Sequence, residues 1–160
     1  MIFHLHRNTK MADLIEGNYH LLEILPRVGI EGSFGEKTVD EICIQSGLDT
    51  DTFILLCNTY MDADYSVSEN LLRQSHISDI LRYLHQSHDF YISYALEALV
   101  QNIEKLIAPC SDVQKNVIRK FFSDYKEELR KHFTYEENDV IPYIQRLLIG
   151  QRTPGFSIDM

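Results

Sequence analysis

Apolar residues recur at helical spacing along most of this chain, and turn signals divide the pattern into two parts. Met11, Leu14, Ile15, Leu21, Leu22 and Leu25 form a stripe that predicts a first helix over residues 10–30, before and around Pro26. Gly29, Gly32 and Gly35 then mark an irregular turn. Thr38, with Glu41 three residues later, has the form of a capping box and predicts a second, short helix to about Ser46, ended by Gly47. Asp49 or Asp51 caps a third through about Tyr60. These helices make a small N-terminal domain over residues 1–65, and the polar segment 61–75 reads as a linker.

Ser75 is the expected N-cap of a long helix from His76 to about Ile107. Pro109, Cys110, Ser111 and Asp112 break it, and Ser111 or Asp112 caps a second long helix to about Leu148. A short turn between two long helices predicts an antiparallel hairpin over 76–149. Residues 150–160, with Gly150, Pro154 and Gly155, read as a loop or a truncated continuation. The expected class is all-α.

Within the hairpin one stripe runs Leu81, Leu84, His88, Tyr91, Ala95, Leu99, Asn102 and Leu106. The other runs Val117, Phe121, Tyr125, Leu129, His132, Glu136, Val140 and Tyr143. His132 and Glu136, four residues apart, share one helix face. Because both helices rise ~1.5 Å per residue, antiparallel packing brings His88 to their level. Polar groups inside an apolar face are costly unless paired. Two readings follow. His88 bonds Glu136 while His132 faces water, or all three bind a metal, as mixed nitrogen and oxygen donors in helical bundles do. His85 competes with His88 for the ligand role, and Glu137, turned ~100° from Glu136 in an α-helix, reads as solvated. His4, His6 and His20 read as surface residues and His76 as a helix-start residue. Tyr91 and Tyr125 are core aromatics with hydroxyls near that level, and Asp89 and Asp139 lie off the stripes.

Composition narrows the setting. The chain has 160 residues, 44% of them hydrophobic, and a formal net charge of -9. That acidity argues against a nucleic-acid surface built from bulk charge, the helix–turn–helix look of the first domain notwithstanding. No apolar run nears the ~20 residues of a membrane span, and no signal-peptide core follows Met1, so the expectation is no membrane and a cytoplasmic location. Cys43, Cys57 and Cys110 are odd in number and widely spaced, which fits neither a disulfide framework nor a zinc site. Cys43 and Cys57 sit among apolar residues and read as buried.

The run from His132 through Glu136 and Glu137 to Pro142 resembles the signature of hemerythrin-like (HHE) cation-binding domains. Ser87-His88, followed by Leu96-Glu97, resembles that family's first-helix histidine, with Glu97 where a proline is usual. Leu14 to Glu31, then Lys37 to Cys43 and Gly47 to Asp49, is similar to the small N-terminal domain of the di-iron proteins that repair iron–sulfur clusters. Ser33-Phe34 stands where that domain usually has adjacent cysteines, so its thiol chemistry is not carried over.

The resemblance implies a non-haem di-iron, four-helix-bundle protein that repairs damaged iron–sulfur proteins in the response to oxidative or nitrosative stress, an oxo bridge between the irons being left open. His88 and His132 would be terminal ligands and Glu136 a bridging carboxylate. The family's bundle has two such hairpins and this chain offers one, which predicts either a homodimer or a missing C-terminal half. Two alternatives stay open: a sensor of iron, oxygen or nitric oxide, and a metal-free helical interaction module. Beyond the metal ligands no acid–base or nucleophile constellation stands out, and whether the chain is an enzyme is left open.

Overall fold

A computed structural model of the chain describes residues 5–151. The fold is all-α, with six helices and no strand among the described residues. His4 and residues 152–160 lie outside the described part, and with them most of the predicted C-terminal loop. The chain divides into two compact units, Met1–Gln86 and Ser87–Met160, so the boundary falls inside a helix.

In the first unit, helix α1 (Met11–Gly17) is shorter than the stripe predicts. Asn18 leaves the helical region at φ -153° and its side chain accepts a hydrogen bond from the His20 amide, turning the chain into 3-10 segments Tyr19–Glu23 and Leu25–Val28. The stripe is nonetheless buried, since Leu21, Ile24 and Val28 have no exposed surface. Residues spaced three or four apart meet on one side in either helix type. Helix α2 (Val39–Gln45) starts at the predicted capping box: Glu41 N–H donates to Thr38 Oγ1, and the Glu41 carboxylate accepts from Thr38 N–H at 2.8 Å. Gly47, at φ +62°, lets Leu48 N–H reach back to the Cys43 carbonyl, a left-handed cap that L side chains resist.

Helix α3 (Thr50–Met61) is capped by Asp49, which accepts from the amide of Thr52. Phe53 and Cys57 from α3 meet Met11, Leu14, Val39 and Cys43 in one buried cluster. The segment read as a linker holds a further helix, α4 (Glu69–Gln74), capped by Ser68. Ser75 does not cap the next helix. Its hydroxyl donates to the Leu71 carbonyl, and the neighbouring His76 N–H donates to Thr52 Oγ1. Asp79 accepts from the Asp49 amide, so the start of the first long helix is tied to α3.

That long helix, α5, runs over 77–107 as Ile77–Phe90, a π-helical stretch Tyr91–Ala95, and Leu96–Ile107. Helix α6 runs over 112–148 as Asp112–Tyr135, a π-helical stretch Glu136–Val140, and Ile141–Leu148. Ser111 caps it, forming a second capping box with Gln114. Pro142 lies inside α6. It has no N–H for the Asn138 carbonyl and its ring crowds that group, so the widened π turn just before it has an identifiable cause.

The second unit is an antiparallel hairpin. Arg119 forks onto Glu104 at 2.8 and 2.6 Å, and Lys126 pairs with Glu97, so the pairs step in opposite directions along the two helices. Leu96, Ile103, Ile107 and Ile141 are buried. Much of the predicted stripe faces outward, including Leu99, Leu106, Val117, Phe121 and Tyr125.

Candidate metal centre

His88 and the α6 segment around Phe133 belong to the second unit and bring two histidines and two acids together. His88 is 7% exposed, and its ring stacks on Phe133 with centroids 4.2 Å apart and planes 21° from parallel. Both ring nitrogens face carboxylates: Nε2 lies 3.0 Å from Glu136 Oε2, and Nδ1 lies 2.6 Å from Glu137 Oε1. His132 sits one turn before Glu136, its Nε2 3.1 Å from Glu136 Oε1. The single carboxylate of Glu136 therefore has an imidazole Nε2 at each of its two oxygens.

The antiparallel register does bring His88, His132 and Glu136 together. His132 is nevertheless 60% exposed, so its outward position and its contact with Glu136 hold at once. Glu137 departs from the expectation of a solvated residue. It is half-buried and paired with His88. Successive α-helical residues point ~100° apart. The π turn that begins at Glu136 is wider and narrows that angle, so two consecutive carboxylates face the same ring. Pro142 is the sequence signal for this departure, because a proline inside a helix forces the turn before it to readjust. His85 is exposed on α5, as are His6, His20 and His76 on the first unit. Asp89 and Asp139 are exposed too, and Tyr91 and Tyr125 keep 39% and 47% of their surface in contact with water.

The donors suit a transition metal in kind, since imidazole and carboxylate serve iron, manganese and zinc alike. The spacing also suits one. Two atoms bound side by side at ~2.1 Å from one ion sit roughly 3 Å apart, and the two contacts of Glu136 measure 3.0 and 3.1 Å. The donors come as two pairs, one at each Glu136 oxygen. Among the described residues no group of three or more His, Cys, Asp and Glu converges on one point where an ion would sit. An ion at either oxygen of Glu136 thus draws one nitrogen and one oxygen from this cluster and requires further donors.

Beside the cluster the hairpin carries an open apolar groove of about 540 Å³, lined by Tyr91, Leu99, Tyr125, Leu129 and Phe133 among others. Phe133 belongs to both, stacking on His88 and lining the groove. The thiols lie elsewhere. Cys43 and Cys57 are fully buried in the first unit, and burial pushes the Cys43 thiol up to about 12 against an opposing hydrogen bond with Thr50; Cys57 is driven up further, by burial first and the neighbouring Cys43 second. Neither is a nucleophile at neutral pH. No helix of the described residues is long and apolar enough to cross a membrane. No protein-family model matches this chain, and no curated protein or solved structure matches it either.

Proposed function

We propose that the hairpin is half of a hemerythrin-like non-haem di-iron centre, completed by the hairpin of a second copy of this chain. The observation that carries this reading is the Glu136 carboxylate with an imidazole Nε2 at each oxygen, 3.0 and 3.1 Å away. A carboxylate that bridges two metal ions presents one oxygen to each, and here each oxygen already has its own histidine. His88 and His132 would bind through Nε2 and Glu136 would bridge. A two-fold related copy would supply the same three groups again, so that His88, His132 and Glu136 of both chains would hold the iron. The exposed apolar face supports the same partner: the groove is continuous with the cluster through Phe133, and a matching hairpin would cover it.

Iron held there would supply a redox change and an open coordination position for dioxygen or nitric oxide. The residues of the chain bind and orient it: Phe133 shields one side of His88 from water, and the π turn sets the direction of the carboxylates. Repair of damaged iron–sulfur proteins is the cellular role we assign, on the resemblance of the His132–Pro142 run and the N-terminal unit.

The test is metal content by plasma mass spectrometry with the mass in solution, on protein purified without a His-tag and reconstituted with ferrous iron. The expected result is a dimer carrying about one iron per chain, and loss of that iron in His132→Ala. A folded chain that takes up no iron, manganese or zinc overturns the metal reading. A monomer with full metal content overturns the shared site.

A further inference from the structure

Glu137 sits on the nitrogen of His88 that the proposed centre does not use. Its Oε1 lies 2.6 Å from Nδ1, the shortest imidazole–carboxylate contact in the cluster, while Nε2 is turned toward Glu136. The ring is further held by stacking on Phe133, at 4.2 Å between centroids. An imidazole presents a lone pair to a metal from one nitrogen only when the other keeps its proton, and a carboxylate accepting that proton fixes both the tautomer and the ring angle. Glu137 reaches this position through the π turn Glu136–Val140, which brings two adjacent carboxylates to one ring.

We infer that Glu137 is the positioning residue of this site. It accepts the Nδ1–H of His88 and would hold the Nε2 lone pair toward an ion bound at Glu136, without itself being a ligand. The two adjacent acids thus have different tasks, Glu136 on the metal and Glu137 on the ring that binds it. The inference rests on the metal reading above, yet the 2.6 Å contact between Nδ1 and Glu137 is present without metal and can be examined by itself.

Two measurements on the full chain test it. In the metal-free protein, proton–nitrogen NMR of the histidine rings should show a strongly downfield Nδ1–H for His88, present in the wild type and lost in Glu137→Ala. In competition with a chelator, Glu137→Ala should weaken Fe(II) and Co(II) binding by roughly ten- to a hundred-fold, with the number of ions at saturation unchanged. Glu137→Gln, which still accepts from Nδ1–H through its amide oxygen, should recover most of that loss. A missing Nδ1–H signal in the wild type overturns the inference, as does unchanged affinity in Glu137→Ala. Saturation at fewer ions makes Glu137 a ligand and overturns it too. Wild-type protein that shows the Nδ1–H signal but binds no metal overturns the metal reading and the positioning role with it, leaving a structural hydrogen bond. Equal losses of metal-free melting temperature in Glu137→Ala and Glu137→Gln, with no change in affinity, likewise overturn the positioning role.

Discussion

Met11, Leu21, Ile24, Val28 and Phe53 in the first unit have no exposed surface, whereas Leu106, Val113, Val117 and Phe121 in the second are between 62% and 76% exposed. The sequence patterns behind the two groups look alike, both apolar and both helical in period. In the first unit, helices, 3-10 turns and glycine caps wrap the apolar side chains around one cluster, and its polar groups include helix caps, surface ion pairs and a buried Arg27 that reaches Glu23. Among the described residues the second unit has two helical stretches, the rest of α5 and α6. One side of each meets the other helix and the remaining apolar side meets water, while a buried histidine and two half-buried acids gather at one level. One unit closes its apolar side chains around a core of its own; the other leaves many of them in water.

The sharpest way to break this contrast is to remove the same ring from each unit. Phe53→Ala opens a cavity in a closed core and should cost about 3–5 kcal/mol, a large part of the stability of a domain this size. Phe121→Ala removes a ring from an uncovered surface and should change the stability of the isolated chain by less than about 0.5 kcal/mol. If the proposed dimer forms through this face, Phe121→Ala should shift it toward monomer, because an exposed apolar ring is lost from that face. Urea unfolding followed by circular dichroism, with sedimentation of each variant, reads both effects. A large stability loss in Phe121→Ala at concentrations where the chain is monomeric would mean that the second unit has a core of its own.

Thiol chemistry sharpens the comparison from the other side. Burial holds Cys43 at about 12 against an ordinary value of 9.0, and Cys57 is raised in the same direction. Groups with raised folded values contribute fully below their unfolded value, and that contribution is lost as pH climbs from about 9 toward 12, because the unfolded chain releases its protons first. The slope is about 1.4 kcal/mol per pH unit for each thiol. The first unit should therefore melt progressively earlier above pH 9, and Cys43→Ala should flatten the fall. In native protein at pH 8, a thiol reagent should modify Cys110, which is only partly buried, well before the other two. Rapid modification of all three would show that the first core opens readily.

How much of this is legible in the residues follows the same division. The capping box at Thr38, a cap at Asp49 or Asp51, the break at Pro109 and a cap at Ser111 or Asp112 can be read because each is a local signal, and the hydrogen bonds select Asp49 and Ser111. The meeting of His88 with His132 and Glu136 can be read because antiparallel helices keep register. The end of α1 at Asn18 cannot, since an Asn side chain competing for a backbone amide overrides an apolar stripe that continues past it. Helix α4 is hidden by the polar composition of 61–75, although Ser68 is an ordinary cap. Ser75 has the residue type of a cap, but its hydroxyl turns back to Leu71. The place of Glu137 escapes a strict α-helical period, which does not hold across the turn before Pro142.

The smallest expected effect comes from a motif the units share. Thr38 with Glu41 and Ser111 with Gln114 are both capping boxes, one in each unit, and they differ in whether the reciprocal side chain carries charge. The backbone and hydroxyl hydrogen bonds of Thr38 hold the Glu41 carboxyl below its usual value. A carboxylate with a lowered folded value contributes above its unfolded value, near 4.5, and loses that contribution as pH falls through the folded one. Gln114 has no such dependence. At neutral pH, Thr38→Ala and Ser111→Ala should each cost about 1 kcal/mol. As pH falls from about 6 to about 3, the penalty of Thr38→Ala should shrink while that of Ser111→Ala holds steady. The readouts should differ as well, since loss of the Thr38 cap loosens a packed core and lowers the melting temperature of the whole first unit. Loss of the Ser111 cap should fray the first turn of α6, seen as faster amide exchange at Lys115 and its neighbours with little change in melting. If Ser111→Ala lowers the melting temperature as far as Thr38→Ala does, the hairpin is as cooperative as the first unit and the contrast between them fails.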